Sequence, residues 1–376
     1  MISADNFSGK IIYVISLVNN SLALMWYFTA LHSTSVKFSV VFLHPEQPKL
    51  MMDLSIAGIK TSWIRYSGKK ELISATFKLW KLFIKEHPEV VHTHLFDASA
   101  AGLIAANLSG VPVKVHTRHH ATQHHVYHPH AVKYDRIINW LSDRIIAISE
   151  NIRSILIERE NVAPEKIDVI HHGFDIGYFK SVSPERRHAV RLKYNIQEDK
   201  VVIGMISRFT VWKGIQYVIP AFANVLKEYP NAILVLANAS GDYETELNEV
   251  LQILPRDSYR LISFENDSPA LYSVFNIFVH VPVDEHSEAF GQVYVEAFAA
   301  GLPCIFTLSG IASEFVKDHN NALVVPYKDS GSIELAIFEL ISNPKLVHRL
   351  SSQASADAQK FDIRMMVKRT LDCYGG

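Results

Sequence analysis

Pro282-Val-Asp-Glu-His-Ser-Glu288-Ala-Phe290-Gly291-Gln292-Val293-Tyr-Val-Glu296-Ala-Phe-Ala-Ala-Gly301-Leu-Pro303 is the stretch on which the reading of this chain turns. It follows Ile277–Val281, an apolar run with the length and β-branched content of a buried strand. The polar residues up to Phe290 then form a loop, and a helix opens near Gly291 and is stopped by Gly301 and Pro303. Gly291 lets an anion approach the amides of Gln292 and Val293 at the positive end of that helix. Glu296 follows Gln292 by four residues, so it lies on the same face, one turn deeper. A carboxylate there is costly among apolar neighbours unless it accepts hydrogen bonds, for example from ribose hydroxyls. Glu288 sits in the loop ahead of the helix, free to reach a sugar. A plain helix with one buried Glu paired to a neighbouring Lys fits the same residues.

Outward from this stretch, short apolar runs alternate with helical patterns along the whole chain. Strands are expected at Lys10–Leu17, Lys37–Leu43, Val90–His94, Val113–His116, Arg144–Ile148 and Lys166–Ile170. A second series follows at Val201–Ile206, Ala232–Ala237, Arg260–Phe264, Ile277–Val281, Pro303–Phe306 and Ala322–Val325. Helices are expected at Glu71–Glu86, Ala98–Leu108, Asn151–Glu160, Gly214–Tyr229 and Gly291–Ala300. Val/Ile-rich strands alternating with helices imply parallel sheets buried on both faces. The fold class is therefore α/β, with two doubly wound Rossmann-like domains of six strands each, expected to face one another across a cleft. Residues 1–180 form the first domain, 181–200 a polar linker, and 201–354 the second. Residues 355–376 form a helix that crosses back to the first. In such folds ligands lie at the carboxyl ends of strands, often against helix N-termini.

Composition narrows the function. The 376 residues carry 37 Lys+Arg against 38 Asp+Glu, a net charge of −1 that lacks the basic excess of a nucleic-acid binder. Two cysteines, Cys304 and Cys373, exclude a disulfide framework and suit a reducing compartment. No segment reaches the roughly 18 apolar residues of a membrane span. A cytoplasmic protein is expected, with membrane contact at most peripheral. Helix Glu71–Glu86 sets Phe77, Trp80 and Ile84 beside Lys78, Lys81 and Lys85. That arrangement fits an interfacial helix as well as an ordinary amphipathic one with snorkelling lysines.

Two further motifs sit at strand ends. Val201–Ile206 leads into Ser207-Arg208, and Lys213 precedes the next helix. A guanidinium fork and a mobile ammonium flanking one loop suit a diphosphate, although solvated surface charges would look the same. Val113–His116 leads into Thr117-Arg118-His119-His120, and seven histidines lie between His116 and His130. His120/His124 and His124/His128 have the i,i+4 spacing of helical chelators. Against a metal, no Cys and no H-E-x-x-H pattern occurs there, and Asp135 is the one nearby carboxylate. A loop facing an acceptor, or plain surface histidines, accounts for the cluster without a metal ligand set.

Glu288 and Glu296 with Phe290-Gly291 between them, running on to Gly301-Leu302-Pro303, resemble glycosyltransferase family four, retaining enzymes of the GT-B fold. Ser207-Arg208…Lys213-Gly214 is similar to that family's diphosphate loop. His171-His172-Gly173-Phe174-Asp175 is similar to its Asn-Gly-hydrophobe-Asp loop, with His172 where Asn is usual. The resemblance implies transfer of a sugar from a nucleotide diphosphate donor, UDP more often than GDP, to a saccharide hydroxyl. The acceptor is expected to be lipid-linked and to serve surface polysaccharide or glycoconjugate synthesis. Arg208 and Lys213 would stabilise the leaving diphosphate together with the amides of Gln292 and Val293. Glu296 would hold the ribose, Glu288 and His119 the transferred sugar, and Ile262 to Phe264 the base. No cofactor and no metal are implied. One departure stands out: Val18-Asn19-Asn20-Ser21 occupies the place of the family's Gly-rich loop, which puts Asn19, Asn20 and His120 on the acceptor side. Domain closure about the linker would exclude water. An epimerase or hydrolase on the same fold, or a sugar-nucleotide-binding scaffold, are the alternatives.

Overall fold

The computed structural model describes residues 9–375. They divide into two compact units: one runs to Phe174 and resumes at Phe361, and the other is Asp175–Lys360.

The first unit holds a seven-stranded parallel sheet. Its strands are β1 (Lys10–Ser16), β2 (Lys37–His44), β3 (Thr61–Arg65), β4 (Val90–His94), β5 (Val113–Arg118), β6 (Arg144–Ala147) and β7 (Ile167–Val169). They lie in the order β3-β2-β1-β4-β5-β6-β7. Strand β1 shows why the sheet is central, since its residues alternate between two apolar layers. Ile11, Tyr13 and Ile15 pack with Tyr27, Phe28, Val367 and Leu371. Ile12 and Val14 face the other way, onto Leu79, Phe83 and Ala101. The C-terminal helix Ile363–Gly375 thus completes the first layer. Its Tyr374 hydroxyl bonds Tyr13 Oη at 2.9 Å and His92 Nδ1 at 2.5 Å.

The second unit holds a six-stranded parallel sheet in the order β10-β9-β8-β11-β12-β13. Its strands are β8 (Val201–Ile206), β9 (Ala232–Ala237), β10 (Tyr259–Ile262), β11 (Ile277–His280), β12 (Cys304–Phe306) and β13 (Leu323–Val324). Strand order reverses between β1 and β4 in the first unit and between β8 and β11 in the second. Those reversal points, at the carboxyl ends of the strands, are where an open α/β sheet leaves room for a ligand.

Three expectations need correction. The first sheet has seven strands, not six, because Thr61–Arg65 forms an edge strand on β2. Its residues are half-buried or exposed, so it lacks the apolar run that marks a central strand. Residues 181–200 are not a bare linker. Helix Pro184–Lys193, capped by Ser183 Oγ accepting from the amide of Arg186, is tied into the second unit by Arg186 to Asp267 at 2.6 Å. The single helix expected over 355–376 is broken. Pro344–Ala358 ends in a 3-10 turn, Gln359–Phe361, and a new helix starts at Ile363. The break coincides with a bridge between Phe174 and Asp362, where Phe174 donates to Phe361 O at 2.8 Å and accepts from Ile363 N at 3.0 Å.

Candidate active site

In the second unit, the loop after β8 and the loop after β11 are fastened to one another. Gly214 has φ +78°, and a Cβ at this position would sit 1.9 Å from Val281 O. Only glycine permits that approach. Val283 N donates to Trp212 O at 3.0 Å, closing the same seam. Lys213 is thereby carried onto Glu288, its Nζ 2.5 Å from Oε1. His280, the last residue of β11, places Nε2 2.9 Å from the same oxygen, and Ser309 Oγ accepts from the Glu288 amide at 3.1 Å.

Glu288 is therefore not free to reach a sugar from an open loop. It is 7% exposed and held in a buried ion pair. Burial pushes its carboxyl up, but Lys213 and then His280 outweigh this and hold it down at about 2. Two residues that look independent in the sequence thus act as one charge pair. His280 carries no motif and was missed; its position as the residue closing β11, directly before the decisive stretch, is the signal that marks it.

Helix Gln292–Ala299 starts at Gly291, φ +85°, a cap residue with no side chain of its own to meet the first amides. A Cβ on Gly291 would lie 2.6 Å from the Tyr294 ring, so the chain can turn into the helix here only without one. This start puts the positive end of the helix beside the Lys213–Glu288 pair. Phe290 is buried, its carbonyl accepting from Ile311 N at 3.0 Å, while Gln292 is exposed and Val293 half-buried. Glu296 is partly buried and accepts from Tyr272 Oη at 2.8 Å, a tyrosine rather than a lysine partner. Burial lifts its carboxyl to about 6, against the lowering effect of that hydrogen bond. Arg208 is exposed at the mouth of the same loop. Ile262 is buried, whereas Phe264 is 66% exposed, so of this pair only Phe264 offers a side chain to a ligand.

In the first unit, the ends of β1, β4 and β5 line a cavity of about 350 Å³ whose walls include Ser16, Leu95, Thr117, His119, His120 and Asp135. His119 Nε2 lies 3.1 Å from His94 Nδ1, and its ring stacks on His172 at 5.6 Å. Burial, then His94 and His172, press its pKa well below the usual histidine value, so the ring is neutral. Asn19 is exposed after the end of β1. Its Oδ1 accepts from Lys49 N at 3.1 Å and its carbonyl from Leu50 N at 2.9 Å, which engages it with the start of helix Lys49–Ile56. Asn20 is exposed.

The histidine segment is not an open loop. It folds into helix Gln123–Tyr127 and then Val132–Leu141, around a buried group that sequence reading missed. Arg118 Nη2 pairs with Glu160 at 2.5 Å and Nη1 with Asp135 at 3.2 Å. His120 Nε2 and His124 Nδ1 lie 3.5 and 2.7 Å from the two Asp135 oxygens. Helix Leu72–Glu86 buries Ala75, Leu79 and Phe83 and leaves Ile73 85%, Phe77 51% and Ile84 45% exposed. Among the described residues no helix is long and apolar enough to cross a membrane.

Paired parallel α/β units with an anion-ready helix start at the second sheet's reversal point define the GT-B class. Residues 187–357 match the family model for glycosyl transferases group 1, and residues 29–178 that for glycosyltransferase family 4. The chain belongs to glycosyltransferase family 4. It is 27% identical over 248 residues to an uncharacterized glycosyltransferase of Methanocaldococcus jannaschii, covering 65% of this chain and 62% of that protein's length. It is 25% identical over 322 residues to the UDP-Gal:alpha-D-GlcNAc-diphosphoundecaprenol alpha-1,3-galactosyltransferase of Escherichia coli, covering 81% of this chain and 79% of that one. Among solved structures it is similar to Anabaena HepE in complex with UDP, with a TM-score of 0.82 and 20% identity over 97% of this chain and 99% of that one.

Proposed function

We propose that the chain transfers a glycosyl group from a UDP-sugar to a saccharide hydroxyl, with retention at the anomeric carbon. The observation that carries this reading is the junction of β8 and β11, where Lys213, Glu288 and the glycine-led start of a helix converge. A diphosphate seated there meets a fixed ammonium, the exposed Arg208 fork and the amides of Gln292 and Val293. These groups are aimed where negative charge grows as the C1–O bond to phosphate breaks. The acceptor oxygen then bonds C1 on the same face, and its proton passes to the departing phosphate. Glu296 accepts from ribose hydroxyls and Phe264 flanks the base. The diphosphate's charge is met by side chains and amides, so this step calls for no metal at the phosphates.

For the acceptor we favour a saccharide on a lipid diphosphate carrier, in surface polysaccharide or glycoconjugate synthesis. The E. coli relative's named substrate supports this, as do Ile73, Phe77 and Ile84 exposed among the lysines of helix Leu72–Glu86. On this reading the protein works at the inner face of a membrane, bound peripherally. Incubation with UDP-sugars and a lipid-linked disaccharide, followed by proton NMR of the product, tests the whole reading. Acceptor-dependent UDP release with the donor's anomeric configuration kept is the expected result. Free sugar or an epimerised donor formed equally well without acceptor would replace it with hydrolase or epimerase chemistry.

A further inference from the structure

The first unit holds a group of buried charges that the transfer reaction does not use. Arg118, Asp135 and Glu160 lie together, two carboxylates against one guanidinium. Asn139 Nδ2 donates to Glu160 at 2.7 Å, and Arg118 Nε donates to the carbonyl of His120 at 3.1 Å. Against this group stand His120, His124 and His125, the last with Nε2 3.7 Å from Glu160 Oε1. Two carboxylates thus share one guanidinium in a shielded place, which is costly unless further cations or hydrogen bonds meet them.

We propose that His120, His124 and Asp135 bind a divalent transition metal ion of the Zn²⁺ type, with its fourth position open to the cavity at the ends of β1, β4 and β5. The three side chains can bring one ligand atom each within 4.8 Å of one another. Tetrahedral Zn²⁺ with bonds of about 2.0–2.1 Å sets its ligand atoms roughly 3.3 Å apart. His124 Nδ1 lies 2.7 Å from Asp135 Oδ2 and His120 Nε2 3.5 Å from Asp135 Oδ1, on either side of that spacing. Their ring centroids are 4.2 Å apart, as the turn between residues 120 and 124 dictates. His120 Nε2 is buried without a hydrogen-bond partner.

The outer groups are those a metal site needs. Arg118 holds the Asp135 carboxylate and the His120 carbonyl, and Glu160 balances its charge, so Asp135 keeps its negative charge for the ion. Two imidazoles and a carboxylate favour Zn²⁺ or a similar ion over Mg²⁺ or Ca²⁺. Because His119 and Thr117 line the same cavity, a water or a ligand hydroxyl could take the open position. The site also ties residues 119–135 together, independently of the transfer reaction.

The test uses the full chain without a histidine tag, stripped with chelator and titrated with Zn²⁺ against a chromophoric competitor. Co²⁺ in a parallel sample reports coordination through its visible spectrum. One equivalent is expected per chain. His120→Gln and His124→Gln should each weaken binding more than about 100-fold, beyond the 10–100-fold typical of an outer-shell change. His128→Gln and His130→Gln, at exposed positions on the same segment, should leave it unchanged. Circular dichroism checks that each variant is folded, and having two ligand variants guards against one failing. No binding by the stripped chain, binding untouched in both ligand variants, or binding lost in the His128 or His130 variants would overturn the proposal.

Discussion

Replacing Lys213 by Met keeps the bulk of the side chain and removes the charge facing Glu288. In the native chain the pair is 2.5 Å apart, and the carboxylate is 7% exposed. Its pKa, held at about 2 against the ordinary 4.5, corresponds to roughly 3 kcal/mol of folding stability at neutral pH. A depressed acid stabilises the fold above its unfolded pKa, and the benefit fades as pH falls from about 4.5 toward 2. Without Lys213 the carboxylate stays buried with His280 alone, and breaking such a pair costs about 3–5 kcal/mol. At about 2–4 °C per kcal/mol for a domain of this size, the second unit should melt roughly 6–20 °C lower at neutral pH. Near pH 4 the deficit should shrink, because protonated Glu288 needs no partner. Thermal unfolding by circular dichroism at both pH values measures this. Adding Glu288→Gln to the variant should recover most of the loss. A deficit under about 1 kcal/mol, or one equal at both pH values, would refute the reasoning.

Four other outcomes are expected. Arg208→Ala, at an exposed position, should shift stability by less than about 0.5 kcal/mol yet cut kcat about 10²–10³-fold in the transfer assay. Because burial lifts Glu296 to about 6, donor affinity should rise as pH goes from about 5 to 7 and its carboxylate forms. Glu296→Gln should flatten that profile in a calorimetric titration with UDP. Gly214→Ala, forced against Val281 O at a positive φ, should destabilise the second unit by more than about 2 kcal/mol in denaturant titrations. Ile73→Glu with Phe77→Glu should reduce sedimentation with anionic vesicles several-fold while leaving transfer to a soluble acceptor intact.

The parallel sheets were legible because their central strands are unbroken apolar runs, such as Lys10–Ser16 and Ala232–Ala237, and buried strands admit little else. Edge strand β3 was not, since half its surface faces water and its apolar pattern dissolves. The turns expected around Lys213 and Gly291 were legible because glycines at 214 and 291 mark places where a side chain would collide, and such constraints show in sequence. The pairing of Lys213 with Glu288, and the part of His280, were hidden. They depend on how two loops 75 residues apart are stitched, which no local pattern encodes. The histidine segment illustrates the same limit from the other side. Its i,i+4 spacing was visible, but the Arg118–Asp135–Glu160 core that folds it was not, because those partners come from three separate elements. Asn19 shows a third limit: its Oδ1 accepts from the first amide of a neighbouring helix, a partner 30 residues away that no local pattern reveals.

The central claim is that the second unit binds a UDP-sugar through its diphosphate at Lys213, Arg208 and the helix start at Gly291. Melting temperatures of the wild-type chain against a panel of UDP-, GDP-, ADP- and dTDP-sugars test it most directly, with Arg208→Ala alongside. At ligand near 100 times Kd the gain should be about 2.7 kcal/mol. Stabilisation by the UDP series alone, lost in Arg208→Ala, is the result expected. Stabilisation by another nucleotide series alone, or an Arg208→Ala response equal to wild type, would contradict it.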